Sequence, residues 1–160
     1  MIDIKEISSL SRKAEAESIV FFKKNKKRLE QLDTFVHKQH SIFSNKYDCL
    51  TCANCCKTLG PAIHDKDIDR MAKALRIKPS KFIETYLKKD EDGDYVFKSM
   101  PCPFLLSDNY CAIYEARPKA CREYPHTDRK KFAQIFLLSV KNTYTCPIVY
   151  EVIEQIKKEF

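Results

Sequence analysis

The chain has 160 residues, enough to bury a hydrophobic core without covalent staples, and its 44% hydrophobic and 32% charged composition is that of a globular protein. Its two glycines, Gly60 and Gly93, exclude P-loop and dinucleotide-binding chemistry, because G-x4-G-K-[ST] and G-x-G-x-x-G need glycine wherever backbone approaches a phosphate. A formal net charge of +7, with five of the six residues from Lys23 to Arg28 basic, favours anionic partners over cationic ones.

Two readings of that basic stretch compete: contact with an acidic partner, or the solvated face of a helix. No aromatic residue is interleaved with it for base stacking and no nucleic-acid motif accompanies it, so no specific nucleic acid is expected. The opening MIDIKEISSLSRKAEAES lacks the apolar region of a signal peptide, and no apolar run reaches the length of about 18 residues that a membrane span needs. These features predict a cytoplasmic protein without a membrane partner, in a reducing compartment.

In chain order, apolar residues recur at helical spacing from Ile4 to Phe43: Ile4, Ile7, Leu10 and Ala14, then Phe22, Leu29, Leu32, Val36 and Phe43. This predicts one long helix, or two in line with a break near Asn25, where the basic stretch interrupts the stripe. Residues 44–64 have no period and read as loop. HDKDIDRMAKAL, from His64, predicts a helix with acidic residues at its positive dipole end, and KPSKFIETYLKK a second with Pro79 near its start. Asp90 to Asp94 form a charged turn around Gly93.

YVFK and YCAIY read as short strands that pair as a hairpin, on either side of MPCPFLL, whose prolines keep the backbone irregular around Cys102. Thr127 or Asp128 is expected to cap a helix through Lys141 with a stripe of Phe132, Ile135, Phe136 and Leu138. In the last helix Thr145 is a candidate cap, Pro147 takes a first helical position, and Val149, Val152 or Ile153, Ile156 and Phe160 share a face. The sum is a mainly α fold, one domain over residues 1–160. An N-terminal helical segment (1–44) and a C-terminal helix (147–160) flank a cysteine-cluster core (45–146) with a small irregular or β-hairpin centre, and the helices pack around a cysteine-rich metal-binding core.

The chemistry lies in eight cysteines: Cys49, Cys52, Cys55, Cys56, Cys102, Cys111, Cys121 and Cys146. In a reducing compartment clustered thiols signal metal or catalysis rather than disulfides. C-x2-C is the spacing at which a tight turn presents two sulfurs to one ion, and here C-x2-C-x2-C-C is followed by four more cysteines. Neighbouring side chains diverge from an extended backbone, so Cys55 and Cys56 are expected to face different centres, or one of them to bridge two ions. Eight thiolates supply two tetrahedral sites of four, which favours two ions or one polynuclear cluster over a lone zinc.

Ligand type leaves zinc and iron-sulfur open alternatives. Cys102-Pro103 and Cys146-Pro147 resemble the C-P step of ferredoxins, although proline after cysteine also ends a loop or begins a helix. A four-thiolate centre is anionic and needs cations around it. Lys57, Arg117, Lys119 and Arg122 stand near cysteines in sequence and are the candidates to surround a bound cofactor. Cys146, at a helix N-terminus, is expected to have its pKa lowered by the dipole. His64 and His126 flank cysteine segments, but with eight cysteines filling two sites they read as ordinary histidines, as do His37 and His40.

CLTCANCC, CPFLLSDNYCAIYEARPKACREYP and the later Cys146 together resemble the bacterial cysteine-cluster family of YkgJ type, zinc- or iron-chelating domains, over roughly residues 49–146. The resemblance implies that all eight cysteines belong to a metal-chelating cluster and that Arg117, Pro118 and Arg122 are motif positions. It also implies a distant relation to flagellin lysine N-methylases, which carry a similar cluster. That opens an enzymatic alternative: an iron-sulfur oxidoreductase or a protein-lysine methyl-transfer enzyme.

Overall fold

A computed structural model describes residues 2–160. Its elements in chain order are α1 (Ile7–Asn25), α2 (Asp33–Ser44), α3 (Cys49–Cys52), α4 (Asn54–Thr58), α5 (Asp65–Ala74), α6 (Pro79–Tyr86), β1 (Leu87–Lys89), β2 (Tyr95–Phe97), α7 (Lys119–Glu123), α8 (Phe136–Asn142) and α9 (Pro147–Glu159). Three 3-10 turns lie at Arg28–Gln31, Tyr114–Ala116 and Phe132–Ile135. The fold is mainly α, and the chain gathers into two compact units: Met1–Cys52 with Pro125–Phe160, and Ala53–Tyr124.

In the first unit α1, α2, α8 and α9 pack around Val36, Phe132, Phe136, Val149, Val152 and Ile156, all fully buried. Phe22 stacks on Phe136 with ring centroids 4.9 Å apart, and Phe35 meets Phe160 edge-on at 5.5 Å. The expected break after Asn25 is present, because α1 ends there and Leu29 and Leu32 turn inward from the 3-10 turn that follows. The buried row of α1 is Ile7, Ser11 and Ser18, so part of the face against its neighbours is made of small hydroxyl residues rather than of the apolar stripe.

Two local expectations fail in this unit. Residues 44–64 are not all loop: Asp48 accepts from the Leu50 amide at 2.9 Å and from the Thr51 hydroxyl at 2.8 Å, and this cap sets up α3. The helix through Lys141 is not capped by Thr127 or Asp128. It is preceded by a turn in which Lys131 takes a left-handed φ of 58°, followed by the 3-10 turn and α8, and Leu138 of the expected stripe is exposed while Ser139 and Val140 are buried. The cap comes from far away in sequence: Asp33 accepts from the amides of Lys131 at 2.6 Å and Phe132 at 2.9 Å.

In the second unit α5 and α6 pack together, with Ile68, Met71 and Phe82 buried against Phe97, Phe104 and Ile113. Pro79 opens α6 as expected. The hairpin is not the one the sequence suggests. β2 (YVF) pairs with β1, which continues α6, in the register Leu87↔Phe97, and the charged turn joins them. Asp90 Oδ1 accepts from the amides of Asp92 and Asp94, and Gly93 supplies the φ of 85° that closes the turn. YCAIY forms only a bridge, Leu105↔Cys111, before entering a 3-10 turn.

Burial pushes the Asp33 carboxyl up, but the Lys131 and Phe132 amides, helped by His37 and Arg129, outweigh it and hold the group below the usual carboxylate range. A depressed pKa contributes stability above the unfolded value near 4 that is lost as pH falls through the folded value. Asp33→Ala should therefore lower the stability of the first unit by about 1 kcal/mol at neutral pH. In urea titrations the gap from wild type should close as the pH is lowered below the carboxylate range.

Candidate metal centre

Five cysteines fall in the second unit. Cys55 and Cys56 sit side by side on α4, with sulfurs 4.0 Å apart. The Cys102 amide donates to the Cys56 carbonyl at 2.8 Å, which fixes the MPCPFLL loop to α4. The same loop then pairs with the next cysteine segment: Leu105 bridges to Cys111, and the Ala112 amide donates to the Phe104 carbonyl at 2.8 Å. Cys102 and Cys111 both pack against the apolar core of this unit, and Cys121 lies on α7.

The charges in this group act on one another. The hydrogen bond between the Cys55 and Cys56 sulfurs, with charge on Arg117 and Lys57, brings the Cys56 thiol down to about 7 despite partial burial. Burial pushes Cys102 up to about 11, and charge on Cys56 and Cys111 adds to it. Cys121 rises to about 12 by burial first and then by Cys56, Cys102 and Cys111, with Arg117 pulling the other way. Cys111 is also raised by burial, against the Ile113 amide and Arg117.

The other three cysteines belong to the first unit. Cys49 and Cys52 stand at i,i+3 on the single turn of α3, which puts them on one side of it. Cys146 is the N-cap residue of α9, the place the sequence assigned to Thr145, and Pro147 follows at the first helical position. The expected dipole effect on Cys146 does not prevail. Burial lifts its thiol to about 12, the amides of Val149 and Ile148 lower it only in part, and Cys49 and Cys52 raise it further. Tyr47 lies close by, its hydroxyl donating to Glu151 at 2.9 Å and accepting from the Ile2 amide at 2.8 Å.

A soft, all-thiol donor set in two sequence-mixed groups suits zinc or iron-sulfur by ligand type. Among the described residues no set of three or more Cys, His, Asp or Glu side chains is drawn together tightly enough to hold an ion. The thiols are neighbours at the range of charge interaction without closing on a point. Of the candidate cations, Arg117 and Lys57 act on the thiols; Arg117 also stacks on Tyr114 at 3.4 Å and donates to its carbonyl at 2.7 Å. Arg122 is exposed on α7 and lines a pocket of about 420 Å³ with His64, Asp67, Arg70 and Lys119.

Sequence reasoning missed the group that holds Arg117 and Cys121 in place. Asp67, 3% exposed on α5, accepts from the Lys119 amide at 3.0 Å and the His64 amide at 3.3 Å and pairs with Arg70. Arg70 in turn donates to the carbonyls of Arg117 at 2.7 Å and Ala116 at 3.4 Å. The only signal in the sequence was the i,i+3 spacing of Asp67 and Arg70, which solvated helices show just as often.

The CxxCxxCC family, described as "Putative zinc- or iron-chelating domain", matches residues 48–147. No curated protein and no solved structure matches the chain.

Asp67→Ala leaves the Lys119 and His64 amides without their acceptor, while Arg70 is exposed enough to be solvated. It is therefore expected to cost about 2 kcal/mol of folding stability, measured as the shift of the urea midpoint, and to loosen the Ala116–Glu123 segment in hydrogen exchange before α1, α2, α8 and α9.

Proposed function

The chain belongs to the CxxCxxCC family of zinc- or iron-chelating domains, and on that premise we propose that its eight cysteines hold zinc or an iron-sulfur centre in two groups. Cys56, Cys102, Cys111 and Cys121 make the first. Cys49, Cys52 and Cys146 contribute the second, and Cys55 stands beside Cys56. The observation that carries the reading is the backbone tie of Cys102 to Cys56, continued to Cys111 through the Leu105 bridge. Three cysteines from two sequence blocks are tied together there by main-chain bonds, which bring their backbones side by side independently of side-chain rotamer.

Zinc bound there would supply a tetrahedral cross-link, and an iron-sulfur cluster would supply one-electron redox capacity. The chain's own part is narrower. Partial burial of Cys102 and Cys121 limits the access of water to the sulfurs, Arg117 and Lys57 offset the negative charge that four thiolates bring, and the Asp67–Arg70 pair positions the Arg117 backbone.

The test is anaerobic purification followed by elemental analysis and a visible spectrum, which separates zinc from iron-sulfur and counts ions per chain. Cys121→Ser should empty one group and Cys146→Ser the other, each with partial loss of metal. Complete loss in both variants would point to one polynuclear cluster, and a metal-free wild-type chain with intact fold would sink the proposal. Structural-zinc energies of about 10 to 16 kcal/mol rival the about 5 to 15 kcal/mol stability of a domain, so a chelator should also lower the thermal midpoint.

Each thiol gives up its proton on ligation. With Cys102 held at about 11 and Cys121 at about 12, metal competes with protons throughout the neutral range. Affinity measured against a chromogenic chelator should fall steadily as pH is lowered from 8 to 6.

A further inference from the structure

Segments of the first unit that are remote in sequence end at one place. Asp33 accepts from the Lys131 amide at 2.6 Å, the 3-10 turn Arg28–Gln31 packs on the turn Phe132–Ile135, and Phe22 near the end of α1 stacks on Phe136 at the start of α8. The basic stretch is thereby brought beside a second one, and Lys23, Lys24, Lys27, Lys130 and Lys131 are all exposed. Among the described residues none of these five ammonium groups makes an ion pair. Of the nearby carboxylates Asp33 is committed to two amides, which leaves Glu30 and Asp128 against the five lysines.

Exposed aliphatic side chains lie along the same elements. Val20 is 49% exposed on α1, and Leu137 and Leu138 are 44% and 51% exposed on α8. Val20, Lys23, Lys24 and Lys27 follow one another at i, i+3, i+4 and i+7, with Lys26 and Lys27 still in helical conformation beyond the end of α1, so they share one helix face. On α8 the exposed Leu137 and Leu138 are followed by the exposed Lys141 one turn on.

We propose that this face, formed where the end of α1 meets the turn before α8 and the first turn of α8, binds peripherally to an anionic lipid surface. Lysines at that depth meet headgroup phosphates while aliphatic side chains between them enter the acyl boundary. A nucleic-acid backbone would use the lysines but has no use for exposed leucines, and stacking aromatics are absent from the exposed residues of the face. Of the two arginines beside these lysines, Arg28 donates to the Phe160 carbonyl at 2.7 Å and Arg129 to the Lys130 carbonyl at 3.2 Å. The contact is one of surface adsorption and departs from the sequence expectation of no membrane partner, which rested on the lack of a span; no helix among the described residues is long and apolar enough to cross a membrane. The inference stands apart from the metal reading and involves no cysteine.

The experiment is co-sedimentation of the full chain with phosphatidylcholine vesicles, with the same vesicles containing phosphatidylglycerol, and with duplex DNA as a competitor. Binding is expected only when phosphatidylglycerol is present, and it should weaken between 0.1 and 1 M salt, as the screening length falls from about 10 Å to about 3 Å. At about 1 kcal/mol per basic residue, the combined K23Q, K24Q and K27Q variant should partition about 100-fold less. K23R, K24R and K27R together should bind as wild type, and L137S with L138S should bind about 10-fold less while keeping the salt dependence. Circular dichroism checks that each variant is folded, and should the glutamine variant fail it, the arginine and serine variants decide. Equal binding to both vesicle types, a folded glutamine variant that binds unchanged, or DNA binding without vesicle binding would each overturn the proposal.

Discussion

Asp67 is the carboxylate on which the arrangement of the second unit depends. It is buried at the start of α5 and gathers an arginine and two backbone amides, and through Arg70 it also reaches the carbonyls at the end of the Tyr114–Ala116 turn. Burial by itself would raise its pKa, yet the Arg70, Lys119 and His64 contacts hold it below the usual carboxylate range. The charge is therefore held partly by its own helix and partly by the Lys119 amide of the cysteine-bearing segment, and through Lys119 and Arg70 it holds that segment in turn. Neither α7 nor the loop before it is long enough to hold its own conformation, since short helices in water are marginal without tertiary support.

Given that brace, the electrostatics of the thiols follow. Four sulfurs in one neighbourhood, each half-buried, cannot all ionise at neutral pH without a compensating cation, because burial disfavours each thiolate and charge on its neighbours disfavours it further. Cys56 is the exception. Its hydrogen bond with Cys55 and the charge on Arg117 and Lys57 make it the sulfur best prepared to be a thiolate first. In the first unit the same contest is settled more severely, since Cys146 is buried and the two amides at the start of α9 do not outweigh the loss of water. A helix N-terminus lowers a thiol's pKa only where solvent or charge has not already been removed from it.

Helix existence was largely legible from periodicity and punctuation. The break after Asn25, the acidic start of α5, and Pro79 and Pro147 at first helical positions all follow from local rules that tertiary packing did not override. Pairing and capping were not legible. Composition pointed to YCAIY as the partner of YVF, whereas LKK, read as the end of a helix, takes that place because the Asp90–Gly93 turn folds it directly back on YVF. The cap on the turn before α8 comes from Asp33, and no local window contains both ends of that contact.

The sequence by itself determined which atoms carry the chemistry: eight thiols in two blocks and a late single, at spacings that turn pairs of sulfurs to one side, within a mainly helical chain. Spacing is a local property, so it can say that Cys49 and Cys52 share a turn. Only the tertiary structure decided that Cys56 neighbours Cys102 and Cys111, that Cys146 neighbours Cys49 and Cys52, and which cations and carboxylates stand over them. Those contacts depend on burial and on main-chain bonds between remote segments, and their energies arise only when the chain has closed on itself.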